Sequence, residues 1–159
     1  MPRRMISDML DGRSLVTATK EMTVRSACRL MTEKRIGALL VVENNRITGI
    51  FTERDALNKI LSAGVDPDAT KVSQVMVSNP QTIGVDKPLA HALYMMAEGG
   101  FRHVPVVDAN GTPLGMVSAR DALGQDMMEL EREMKHLEEL QSSISKMMKL
   151  RMRKNPQQK

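Results

Sequence analysis

Cysteine occurs once, at Cys28, so the chain cannot close a disulfide within itself, and a reducing, cytoplasmic setting is expected. Tryptophan is absent, and Phe51, Phe101 and Tyr94 are the only aromatic side chains. That leaves little on which to stack bases, which argues against a specific nucleic-acid platform. No apolar run approaches the roughly 18 residues of a membrane span, so no transmembrane segment is expected. The first residues, MPRRMISDML, carry basic side chains with no apolar stretch behind them, unlike a secretory signal. The three histidines, His91, His103 and His136, lack the spacing of a zinc site. Neither a Gly-rich Walker loop nor a nucleophile elbow is written in the chain. No catalytic or metal chemistry is therefore legible, and the protein is not expected to be an enzyme.

What is present is ordinary in amount and unusual in arrangement. The chain has 159 residues, 42% hydrophobic and 26% charged, enough for one compact domain or two small units sharing a core. Its formal charge of +4 is local: Lys146, Lys149, Arg151, Arg153, Lys154 and Lys159 stand in the last stretch with no acid among them. A globally basic nucleic-acid binder would spread that charge over a face.

The main signal is an internal repeat. GIFTERDAL, from Gly49, and GMVSARDAL, from Gly115, share a glycine, two apolar residues, a hydroxyl residue, two variable residues and Asp-Ala-Leu. Shifted by 65 positions, Val24, Ala27, Cys28 and Met31 fall on Leu89, Ala92, Leu93 and Met96. Both sets are spaced as the apolar face of a helix. Val41-Val42 falls on Val106-Val107, and one extra residue near Gly111-Thr112 changes the offset to 66, so that Gly49 meets Gly115. Asn44-Asn45 and Asn110-Gly111 are turn signals, one per copy. The unit reads strand, helix, strand, turn, strand, helix, from about Ile6 to Leu61 and again from Val72 to Leu123. SAGVDPDATK, between them, has the composition of a linker. The expected divisions are residues 1–66, 67–124 and 125–159. Neither copy buries a good core alone, so the two are expected to pack about a pseudo-twofold axis, with two related clefts between them. On its core-facing position Cys28 reads as a small buried hydrophobe.

The last division reads as one long amphipathic helix. Met127, Leu130, Met134, Leu137, Gln141, Ile144, Met148 and Arg151 follow a 3-4 spacing that suits a short coiled-coil seam. Acids, from Asp126 to Glu139, fill its first half and bases its second, an order that complements the helix dipole, and Glu131 to Lys135 is a favourable pair.

In each copy the phrase TERD or SARD reads first as a capping box, with Thr52 or Ser118 at the N-cap and Asp55 or Asp121 reaching back to it. A helix start of this kind also offers N–H groups to phosphate, while an acid beside it suits a ribose diol better than an anion.

Two tandem copies ending in G-h-h-[ST]-x-x-D, together with GGFRHVPVVDANGTPLG from Gly99 to Gly115, resemble a pair of cystathionine-β-synthase (CBS) domains, a Bateman module, over about Met5 to Leu123. The resemblance implies an α/β (α+β) fold of two βαββα repeats packed through their sheets. It implies a sensor for adenosine-containing ligands such as AMP, ADP, ATP, S-adenosylmethionine or a dinucleotide, with no other cofactor and no metal. Carried onto this chain, it places Asp55 and Asp121 on ribose and Thr52 and Ser118 near ribose or phosphate. It lines the adenine pockets with Thr17-Ala18 and Ile36, Gly37, Ala38 and Leu39 in one copy, and with Thr82-Ile83 and Phe101, Arg102, His103, Val104 and Pro105 in the other.

The copies are not equivalent. Arg102-His103 stands where the first copy has Gly37-Ala38, and Ala119 where it has Glu53, while Arg54 and Arg120 match. Arginine gives a bidentate phosphate contact and an acid at a helix start opposes one, so the second copy's cleft is expected to be the better nucleotide site. Two functions remain open: a regulatory nucleotide-binding module, by default a homodimer, or an adaptor that recruits a protein partner through its methionine-rich C-terminal helix. An enzyme subunit is the weaker alternative, since IMP dehydrogenases carry such pairs but need a barrel of about 250 residues for which this chain has no room.

Overall fold

A computed structural model describes residues 4–10 and 14–154, and within the last helix the side chains of residues 125–127, 129–131 and 150–154 lie outside the description. The chain divides into two units, residues 1–120 and 121–159.

The first unit contains both copies. Copy one runs α1 (Ile6–Leu10), β1 (Thr17–Ala18), α2 (Val24–Lys34), β2 (Ala38–Glu43), β3 (Arg46–Thr52) and α3 (Glu53–Asp55), the last continuing as a π-helical stretch, Ala56–Leu61. Copy two runs α4 (Val72–Val75), β4 (Val77–Ser78), β5 (Ile83–Gly84), α5 (Leu89–Gly99), β6 (His103–Val107) and β7 (Pro113–Ser118), and α6 (Ala119–Lys154) follows. The fold is α+β, with one sheet in the order β1-β2-β3-β4 and another in the order β5-β6-β7.

The repeat is visible in hydrogen bonding. β1 pairs parallel with β2, and β5 with β6. In copy one the β2–β3 ladder slips after Val41↔Gly49, so that Val42 meets Ile47. In copy two it slips after Val106↔Gly115, so that Val107 meets Pro113. A bulge at the same place in both copies explains the repeated glycine. A Cβ on Gly49 would overlap the Met76 sulfur, and one on Gly115 would overlap a Leu10 methyl carbon. Each glycine lets the side chain of an exchanged segment lie against its strand, a close approach that an added methyl would force to repack.

These segments are exchanged between copies, which sequence spacing did not anticipate. α4 leads copy two yet packs on β3 of copy one, and α1 leads copy one yet packs on β7 of copy two. The backbone bonds repeat the exchange: Val24 N–H donates to Thr70 O and Val72 N–H to Met22 O, while Leu89 N–H donates to Arg4 O and Ile6 N–H to Lys87 O. Ile6 and Val72 are completely buried. Residues 6–10 and 72–75 are thus helices ahead of the first strand of each copy. Segments the size of ISDML and VSQV are too short to show a helical period.

β2 is buried on both faces, which is why ALLVVE carries no polar alternation. Leu39, Val41 and Phe51 face α2 with Val24, Ala27 and Met31, while Ala38, Leu40 and Ile50 form a second cluster with Met116 of β7 against it. The two sheets therefore meet through the latter set. Cys28 is half-buried beside the first cluster rather than enclosed by it, and burial pushes its thiol pKa up, with Arg25 opposing.

The turns follow their residues. Asn44 and Asn45 both take positive φ, 49° and 60°, in a two-residue hairpin. In copy two, Asp108 Oδ1 accepts from Asn110 N–H and Thr112 N–H at 2.8 and 2.9 Å, organising a longer loop around Gly111 (φ 79°). The two hairpin tips touch, with an Arg46 guanidinium nitrogen donating to Asn110 O. The linker is tied down by Arg25, whose Nε lies 2.6 Å from Asp68 Oδ1.

α6 is one helix of 36 residues. Among the described residues no helix is long and apolar enough to cross a membrane. The expected Glu131–Lys135 pair, Met127, Leu130 and the basic tail side chains from Arg151 onward lie outside the described side chains.

Candidate functional site

The TERD phrase folds as a closed local network. Thr52 is the N-cap of α3, and its hydroxyl oxygen accepts from Asp55 N–H at 3.2 Å. Asp55 Oδ2 accepts in return from Thr52 N–H at 3.0 Å and from the Thr52 hydroxyl at 2.8 Å. Lys59, one turn on, sits 2.8 Å from Asp55 Oδ1. Asp55 is only 8% exposed, and these partners make the burial of its carboxylate tolerable. A carboxylate has about four lone-pair positions, so Asp55 retains capacity to accept from a ligand. Glu53 N–H donates to Gly37 O at 3.0 Å, as Ala119 N–H donates to Arg102 O at 3.0 Å in copy two. Each helix start is thereby stitched to the start of its own copy's central strand.

A cavity of about 450 Å³ opens over this network. One wall is Gly37, Ile50, Thr52, Glu53, Arg54 and Asp55 of copy one; the other is Val77, Asn79, Pro80, Gln81, Gly99, Gly100, Phe101, Arg102 and His103, from copy two and the segment leading into it. Its volume falls within the usual range for small-molecule sites. Arg54 links the two walls, its Nη1 donating to Gly100 O at 3.4 Å. The glycine at position 100 takes φ 68° where copy one has Arg35 at φ 54°, so both central helices end in a left-handed residue.

Charge in the cavity is mixed. Glu53 and Asp55 oppose Arg54 and Arg102. The Glu53 carboxylate lies over Gly37, its carbon 3.3 Å from where a Cβ would be. Copy two inverts this exchange of size and charge, with Arg102 directly before the strand and Ala119 at the helix start.

The sequence paired Thr52 and Asp55 with their own copy's strand start, and Arg102 and His103 with Ser118 and Asp121, while allowing residues of one copy to reach a phosphate held by the other. The cavity brings Gly37, Thr52, Arg54 and Asp55 together with Phe101, Arg102 and His103. Ala38, Leu39, Val104 and Pro105 are core residues, because the central strands are covered on both faces, and their side chains do not line it. Thr17 is exposed on β1, Ile36 is half-buried beside the first core cluster and Thr82 is exposed just before β5, all off the cavity wall. His103 pairs with Ser118 across β6 and β7. Ser118 and Arg120 end the first unit and Asp121 opens the second, in the first turn of α6. Sequence reasoning missed Val77, Asn79, Pro80 and Gln81. Their signal was the Asn79-Pro80 dipeptide, a turn former, with Asn79 at φ 48°. Among the described residues, no group of three His, Cys, Asp or Glu could hold a metal.

Known proteins share this arrangement. The CBS domain family matches residues 6–62 and 72–127. The CBS domain-containing protein CBSCBSPB3 of Arabidopsis thaliana is 33% identical over 118 residues, which is 74% of this chain but 21% of that protein, so the chain spans about a fifth of that curated relative. A CBS-domain protein of Burkholderia ambifaria superposes with a TM-score of 0.73 at 31% identity, covering 78% of this chain and 94% of the other. A CBS domain protein of Pyrobaculum aerophilum, solved in complex with AMP, gives 0.68 at 27% identity, covering 74% and 88%. With two family matches in tandem, the same bulge and the same helix-start to strand-start backbone bond in each copy, and sheets that meet face to face, the chain belongs to the CBS-domain family as a tandem pair.

Proposed function

We propose that this CBS pair is a regulatory module that binds an adenosine-containing ligand in the cavity between its two copies and performs no chemistry on it. The observation that carries this is the meeting of the buried, capped carboxylate of Asp55 with Arg54, Arg102 and His103 in one cavity of small-molecule size. Asp55 accepts from the ribose diol, and Thr52 adds a bond to sugar or phosphate. Arg54 and Arg102 meet phosphate oxygens, and His103 joins them when protonated. Ser118, Arg120 and Asp121 perform the matching roles in copy two. The AMP complex of the Pyrobaculum aerophilum relative supports the ligand class. Binding shifts the module between conformations that a partner reads, in a homodimer in a reducing cytoplasm.

Thermal unfolding with a panel of AMP, ADP, ATP, NAD and S-adenosylmethionine tests the reading. A ligand at a hundred times its Kd adds about 2.7 kcal/mol of stability, several degrees in Tm for a domain of this size. No shift with any of the five contradicts it.

The second reading, an adaptor acting through α6, is favoured by the exposed Met134, Leu137, Ile144 and Met148 on that helix. Substitutions along α6 would then abolish partner capture and leave nucleotide binding unchanged.

A further inference from the structure

We infer that α6 pairs with α6 of a second copy of this chain, antiparallel, over residues 134–148. Large apolar side chains stand in solvent along this helix: Met134 at 55% exposure, Leu137 at 59%, Leu140 at 46%, Ile144 at 48%, Met147 at 62% and Met148 at 61%. At 100° per residue these six fall within an arc of about 140°, and Lys135, Glu138, Glu139, Lys146 and Lys149 all fall outside it. Leu137, Leu140, Ile144 and Met147 alone keep the 3-4-3 spacing of a coiled-coil seam. A stripe of this extent left in water is unusual for a monomeric helix.

Charge identifies the occupant and its direction. Residues 121–140 hold seven acids and two bases, a net of −5, and residues 141–154 hold five bases and no acid, a net of +5. A second copy laid antiparallel about residue 142 sets residues 130–140, with four acids and two bases, against residues 144–154, with five bases and no acid. A parallel copy sets the five bases against five bases. The helix is therefore complementary to itself in one direction only. A two-fold pairing uses the same patch on both chains, so it closes at two copies rather than growing into a filament. Nothing in this pairing depends on nucleotide binding.

The test places a single nitroxide on the full-length chain, carrying Cys28→Ala, at Ser143→Cys or at Arg132→Cys, and measures electron–electron distances between copies. Antiparallel pairing about residue 142 gives a short distance, under about 20 Å, at 143, and about 30 Å at 132, since twenty residues at 1.5 Å each separate the two labels. Short distances at both positions mean parallel pairing and overturn the inference, as does a short distance at neither. Leu137→Glu with Ile144→Glu should erase the short distance at 143 while circular dichroism shows the fold retained. Its persistence in that variant also overturns the inference.

Discussion

Asp55 holds Thr52 at both the backbone N–H and the hydroxyl, at 3.0 and 2.8 Å, from a residue only 8% exposed. The pair is one structure with two uses. It satisfies the start of a helix only three residues long before it turns π-helical, and it sets a carboxylate on the wall of a cavity. The cap should be measurable separately from the site. Thr52→Ala removes a hydroxyl that both donates and accepts, and is expected to lower the unfolding free energy in urea by about 1 kcal/mol, with m unchanged.

Arg102 is exposed and makes its contribution to the cavity rather than the core. Arg102→Ala should leave Tm within about one degree and weaken a phosphate-bearing adenosine ligand roughly tenfold to a hundredfold, the usual worth of a hydrogen bond to a charged group. Glu53→Ala should move affinity the other way, most for the triphosphate, because it removes an acid facing the same cavity. Equal losses from both variants, read by calorimetry, would place the phosphate elsewhere.

Gly49 and Gly115 should respond alike. An added methyl meets Met76 at the first and Leu10 at the second. Gly49→Ala is expected to cost about 1–3 kcal/mol, the range for overpacking. Met76→Ala in the same chain should recover part of it, a coupling that a double-mutant cycle in urea measures directly.

Arg35 occupies the left-handed position that Gly100 occupies in the other copy. Arg35→Gly relieves a backbone conformation that a side chain disfavours, and should raise the unfolding free energy by about 0.5–1 kcal/mol after the entropy of the added glycine is counted.

Stability should fall in acid for a definite reason. The Arg25 hydrogen bond holds the Asp68 carboxyl below its usual range, and the Thr112 backbone N–H, with that of Asn110, does the same for Asp108. Their folded pKa values lie below the unfolded value, so the unfolded chain binds more protons at low pH. The contribution is complete above roughly pH 4 and is lost as pH drops through the lowered values. Replacing both, Asp68→Asn and Asp108→Asn, should flatten urea stability between about pH 4 and pH 2 relative to the unsubstituted chain.

Much of this was legible in the residues, for physical reasons. The helix period in Val24, Ala27 and Met31, the double asparagine turn and the Thr52–Asp55 spacing are all local, and local chemistry decides them. The exchange of α1 and α4 between copies was not legible, because ISDML and VSQV are too short to carry a period and each packs on a strand of the other copy that no local pattern links to it. The cavity followed the same rule. Thr52, Asp55 and Arg102 were found one by one, but that copy one's helix start faces copy two's strand start depends on how the sheets pack. Strand residues such as Leu39 and Val104 entered the expected site through the resemblance, as backbone that could read an adenine edge, and their side chains are core.

Calorimetric titration of AMP, ADP, ATP, NAD and S-adenosylmethionine into the unsubstituted chain, into Arg102→Ala and into Asp55→Asn tests the central claim most directly. The account predicts saturable heat with at least one ligand, weakened at least tenfold in both variants while their melting shows a folded protein. Saturable heat that both variants leave unchanged, or no heat from any of the five, would contradict it.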